Sequence, residues 1–163
     1  MTDPIPAGSR ALLRHTVATL AYRGGKVLRD APAHFADYPI AADSRTPARI
    51  LAHVGDLLDW ALYLARGEQR WQDSVPLAWD MEVARFHAAL ERLDACLAGD
   101  APLGSTPETI FQGPIADALT HVGQLAMLRR LVGSPVRGEN YAKANIVIGR
   151  VGEGQTPPHV EFG

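Results

Sequence analysis

Three side chains in this sequence are suited to binding a divalent cation: His53, Asp117 and His121. Asp117 and His121 lie four residues apart in the stretch from Gly113 to Gly133, "GPIADALTHVGQLAMLRRLVG", which reads as one helix. At that spacing both side chains leave one face, a turn apart. Leu125, Leu128 and Val132 form an apolar stripe that Asp117 and His121 extend toward the helix start. A carboxylate and an imidazole on a core-facing stripe are costly to bury without a partner, and a metal ion is such a partner. His53 lies inside a second stripe, Ile50, Val54, Leu57, Ala61 and Leu64, with Asp56 a turn further on. By itself His53 reads as a core histidine bonded to a neighbour. Together, two neutral imidazoles and one carboxylate make a three-point site with open positions. It suits a catalytic zinc, or iron, manganese or nickel; a closed structural zinc site wants four protein ligands.

The elements that must position these residues are helices. In the first stretch Pro114 fits the opening position, Gly133 the left-handed exit, and Arg129 and Arg130 the last turn, where the helix dipole favours cations. Thr46-Pro47 opens the helix that carries His53 and Gly67 closes it. A first helix runs from a Ser9 cap to about Asp30. Its apolar side is Leu13, Val17, Leu20 and Leu28, and Gly24 and Gly25 mark a kink or a close approach. A third helix runs from about Pro76 to Ala98, with Met81, Ala84, Leu90, Leu93 and Leu97 as core and Glu82 and His87 as surface or supporting residues. Cys96 reads as a small apolar group. The expected architecture is an all-α, four-helix up-and-down-type bundle over about residues 9–133, with an irregular tail at 134–163, all in one domain. For His53 to meet Asp117 and His121, each near its helix start, the second and fourth helices should run parallel. In the tail a short helix over 140–145 and a small strand over 146–148 are expected.

The 163-residue length is enough to bury roughly 70% of the unfolded surface. A net charge of −2 without a Lys/Arg block gives no support to nucleic-acid or anionic-membrane binding. No apolar run approaches the roughly 20 residues of a membrane span. The first ten residues lack a basic segment followed by an apolar core, so no signal peptide is expected. One cysteine allows no internal disulfide and fits a reducing cytoplasm, the expected location. "RGGK" at residues 23–26 lacks the spacing of a phosphate loop. Gly149, Gly152 and Gly154 are followed by Pro157 and Pro158, so no nucleotide-binding helix can follow them.

"TPARILAHVGDLLDW" together with "ADALTHVGQL" resembles the DinB-like superfamily of metalloenzymes. The resemblance covers about residues 9–133. It implies one metal-binding histidine on the second helix, matching His53, and a His-x-x-x-His or Glu-x-x-x-His pair on the fourth, matching Asp117 and His121. The chain departs in having aspartate at 117, one methylene shorter than glutamate, which asks for a tighter site. The family includes thiol-dependent transferases and a mycothiol-dependent maleylpyruvate isomerase. The resemblance therefore implies a metal, zinc or nickel first and iron or manganese next, and a low-molecular-weight thiol that the metal binds as thiolate. Metal-assisted hydrolysis and a non-catalytic metal- or ligand-binding stress protein are the rival readings. The irregular connections at 31–45 and 99–113 are expected either to rim the site, with His34 and Tyr38 lining a pocket for a small-molecule substrate, or only to cover apolar helix ends. Trp60, Trp71 and Trp79 bracket one turn and make a homodimer anchor one expectation and plain packing the other.

Overall fold

The computed structural model describes residues 7–163. Its main elements are α1 (Ala7–Leu28), α2 (Pro47–Arg66), α3 (Trp79–Ala98), α4 (Pro107–Ile110) and α5 (Ala116–Leu131). A π-helical turn, Phe111–Ile115, joins α4 to α5, so the two form one continuous fourth helix. The fold is all-α with an irregular tail. A single buried cluster draws on every helix and on Val151 of the tail. No helix among the described residues is long and apolar enough to cross a membrane.

Local signals explain the element ends. The Thr46 hydroxyl accepts from the Arg49 N–H, Pro47 opens α2, and Gly67 leaves it at φ 77°. The same pair of signals, Thr106 and Pro107, opens α4, with Thr106 accepting from the Thr109 N–H. The fourth helix therefore starts at Pro107, not at Pro114. Pro114 lies inside it, where its ring and missing N–H would break an α turn; the wider π turn accommodates both. Residues 1–6 lie outside the described residues. Ser9 falls inside α1 and does not cap it.

Round the bundle, α1 packs on α3 and α5, α2 also packs on α3 and α5, and α1 and α2 stand on the diagonal across the shared core. Arg14 pairs with Asp94 while Gly24 meets Phe86, so α1 and α3 are antiparallel. Arg85 reaches the Ala52 carbonyl and Arg92 reaches Asp59, so α2 and α3 run the same way. Trp60 lies by Gly113 and Gly67 by Gly104, so α2 and the fourth helix are antiparallel. The parallel run expected of these two is not found. Because the fourth helix starts at Pro107, Asp117 and His121 sit mid-helix and face His53 without it. The parallel α2–α3 pair also explains the link between them. A 20-residue helix is about 30 Å long, and the extended residues 67–78 can return over up to about 40 Å.

The third helix differs from expectation in its register. Met81 is exposed, as is Ala84, whereas Glu82 and His87 are buried. Glu82 accepts from the Leu77 N–H at 2.9 Å, and His87 Nδ1 donates to the Val151 carbonyl at 3.3 Å. These partners sit in loops and offset part of the cost of burying two polar groups; Glu82 Oε2 has no hydrogen bond and only the Arg85 guanidinium at 3.7 Å. Arg129 is likewise buried; it donates to the carbonyls of Val27, Arg29 and Asp30 and closes the end of α1. The tail crosses the α1–α3 side. Gly138–Glu139 pairs antiparallel with Glu161–Phe162, and buried Glu139 takes bonds from Tyr22 and Lys26. The expected helix at 140–145 is a 3₁₀ turn, Tyr141–Lys143, and no strand forms at 146–148.

Candidate metal centre

His53 from α2 and Asp117 and His121 from α5 converge on the open side of the bundle, away from the tail. Each offers a ligand atom, and these atoms lie within 4.8 Å of one another, a grouping able to hold a metal ion. His121 Nε2 is 3.5 Å from Asp117 Oδ1, and His53 Nε2 is 3.9 Å from Asp117 Oδ2. The two rings stand edge to face with centroids 4.9 Å apart. Two donors on a tetrahedral zinc are about 3.3 Å apart, from zinc–nitrogen and zinc–oxygen lengths near 2.0–2.1 Å. The three donors are therefore spaced somewhat wider than around a bound ion, and the side chains would draw together to hold one.

The surroundings prepare the donors. The Gln124 amide oxygen accepts from His121 Nδ1–H at 2.7 Å, which fixes the tautomer and leaves the Nε2 lone pair free. Burial holds the His53 pKa below its ordinary value, helped by the positive charge of Arg45 and by His121; Asp117 and Asp56 oppose this in part. The shift favours the neutral ring, the form that a metal ligand must take. The side chains of His53 and His121 are 17% and 12% exposed, but that of Asp117 is 48% exposed. The buried stripe of α5 is Ala118, Val122, Leu125 and Leu128, and Asp117 stands at its edge. The expected cost of burying Asp117 therefore largely disappears, while its availability as a ligand does not.

A second grouping, His53 with Asp56 and Asp73, shares the first histidine. Its Asp56 is already occupied. It accepts from the Ser74 N–H at 2.9 Å and the Ser74 hydroxyl at 2.6 Å, and it is ion-paired to Arg85. Arg85 also reaches Asp59 at 3.2 Å. Burial alone would raise the Asp56 pKa; the bonds from Ser74 and Arg85 outweigh that and hold it below the ordinary carboxylate value. With Glu82 on the Leu77 N–H, this network ties the 67–78 link to α2 and α3. The link carries Trp71, whose ring stands 5.8 Å from that of His53 and 5.8 Å from that of Trp60.

Two cavities reach the triad. One, of about 520 Å³, has His53, Asp117, Trp60, Trp71 and Arg70 in its wall. The other, of about 450 Å³, lies beside His121 and Gln124 and is walled by Ile40, Arg45, Met127 and Leu131. The connection at 31–45 thus does contribute a wall, but through Ile40, Ser44 and Arg45. Neither His34 nor Tyr38 lines either cavity: His34 is exposed, and the Tyr38 hydroxyl faces the Leu131 carbonyl at 3.5 Å. The other wall comes from residues 69–71 of the α2–α3 link, not from 99–113. Of the three tryptophans, Trp60 and Trp71 serve this cavity, whereas Trp79 packs edge-on against Phe35. Arg70 and Trp71 lie in a stretch with no helical period, so nothing in their spacing pointed to the site.

Comparison with known proteins gives no match: no family model fits the chain, and no curated protein or solved structure is significantly similar to it.

Proposed function

We propose that the protein is a divalent-metal-dependent thiol transferase or isomerase of the DinB-like type, with His53, Asp117 and His121 as the metal ligands. The observation that carries this reading is the convergence of three donors, from two helices, at the meeting of two separate cavities. A reaction between a thiol and a second substrate needs two reactants brought to one point, and two approaches supply that arrangement. A bound zinc or nickel ion, or iron or manganese, would lower the thiol's pKa and keep it as thiolate at neutral pH.

The chain's own residues do the rest. Gln124 holds the His121 tautomer, and burial with the Arg45 charge lowers the His53 pKa and so favours its neutral form. Asp117 contributes one negative charge, so the site's ligands neutralise half of a divalent ion and leave it electrophilic. The Trp71 ring stands edge to face against His53. All three ligands come from one chain, so a homodimer is not needed to complete the site.

The test uses the cobalt-substituted protein titrated with glutathione and with 2-mercaptoethanol. The expected result is a sulfur-to-cobalt charge-transfer band in the near ultraviolet that saturates with thiol. Cobalt that binds at one equivalent but gives no such band with either thiol would overturn the thiol reading and leave metal binding standing.

A further inference from the structure

The cavity at His53 has a composition of its own. Trp60 and Trp71 meet edge to face and present indole surface to it, and Trp71 is 46% exposed. Arg70 shares the same wall. Its guanidinium lies 4.9 Å from the centre of the Tyr63 ring, which limits where the charge can swing. Among the described residues no carboxylate lies within ion-pair distance of Arg70, although arginines elsewhere in the protein pair with acids. Asp117 shares the cavity but stands at the triad, occupied with the two histidines. The cavity therefore offers an aromatic wall, a guanidinium free of any acid partner, and two of the three ligand side chains, His53 and Asp117.

We propose that this cavity binds an aromatic carboxylate, with the ring against Trp60 and Trp71 and the carboxylate on Arg70. The inference rests on the metal reading for the role of His53 and Asp117, and it names the acceptor class for that site. Each contact has a physical basis. Indole faces favour planar partners over aliphatic ones of equal area. A guanidinium offers two parallel N–H groups that match the two oxygens of a carboxylate. At about 520 Å³ the cavity is within the ordinary range for a small organic ligand. The aliphatic cavity beyond His121 remains for the other reactant.

The test is binding, read by quenching of tryptophan fluorescence and by calorimetry. The probe is 4-nitrobenzoate, and its neutral isostere 4-nitrobenzamide is the control. Both are titrated into metal-free and zinc-loaded protein. Wild type should bind the acid more tightly than the amide. Arg70→Gln, a surface substitution, should weaken the acid by roughly 10-fold, as expected for losing a charge-assisted pair, and leave the amide within about twofold. Trp71→Ala should weaken both. Equal binding of acid and amide by wild type, unchanged acid binding by Arg70→Gln, or no binding of either probe at millimolar concentration would each overturn the proposal. Failure of the metal reading appears separately, as absence of zinc uptake in the same samples.

Discussion

Replacing Asp56 by Asn should both destabilise the protein and remove part of its acid sensitivity. Asp56 is 3% exposed and is the acceptor for Ser74, through both backbone and hydroxyl, and for Arg85. Asparagine keeps the volume, so no cavity opens, but it removes the charge and turns one acceptor into a donor facing donors. Breaking a buried ion pair by changing one partner costs about 3–5 kcal/mol. Arg85 keeps Asp59, which places the cost near the lower end, about 3 kcal/mol. For a chain of this size that is a fall in Tm of about 6–12 °C. The pH dependence has a definite sign. The folded Asp56 pKa lies below its ordinary 3.8, so its contribution is present above that value and is lost as the pH falls below it. Urea denaturation of wild type and Asp56→Asn at pH 7 and at several values below 4 should therefore show a gap that narrows with acid. The same substitution loosens the link that carries Trp71, so near-ultraviolet dichroism of the tryptophans should weaken. A loss under 1 kcal/mol at pH 7, or a gap that stays constant into acid, would refute the role assigned to this network.

Three further outcomes follow from the packing and the site. A Cβ on Gly24 would lie 2.5 Å from Phe86 Cζ, whereas one on Gly25 would lie at an ordinary 3.6 Å from His87. Gly25→Ala should therefore stabilise by about 1 kcal/mol, while at Gly24 overpacking of about 1–3 kcal/mol offsets that gain, and paired melts with equal shifts would contradict this. Glu139→Gln should cost about 3 kcal/mol, because Glu139 is the buried partner of Lys26 and Tyr22, and it should expose tail amides to hydrogen exchange before the helices. Gln124→Ala should weaken zinc affinity by about 10-fold while leaving Tm within about 2 °C, since it removes only the support of His121; unchanged affinity would show that the tautomer needs no such support.

The sequence disclosed most where a local signal has one meaning. Thr46-Pro47 and Gly67 bound α2 because a hydroxyl cap, a donor-free first residue and a left-handed exit fit few other places. The same logic applied to Thr106-Pro107 would have found the true start of the fourth helix; Pro114 misled because a proline can also sit in a π turn. The register of α3 was hidden because Glu82 and His87 look like surface residues until the Leu77 N–H and the Val151 carbonyl are seen beside them. Helix directions were not legible, since they depend on whether residues 67–78 turn back at once or run the length of the bundle. His53, Asp117 and His121 were legible as a set, because two spaced polar residues interrupt one apolar stripe and a histidine interrupts another. The cavity walls were not, because Arg70, Trp71 and Ile40 come from segments whose path only the packed helices determine.

The central claim is that His53, Asp117 and His121 bind one metal ion, and zinc titration of the metal-free protein tests it most directly. Competition with a chromophoric chelator should give one zinc per chain for wild type. His53→Ala and His121→Ala should each lose most of the affinity while keeping the helical dichroism, because both side chains lie at the edge of the core. Asp117→Asn should weaken binding without destabilising the metal-free bundle, since that carboxylate is half exposed. One zinc held with the same affinity by wild type and by His121→Ala would contradict the assignment.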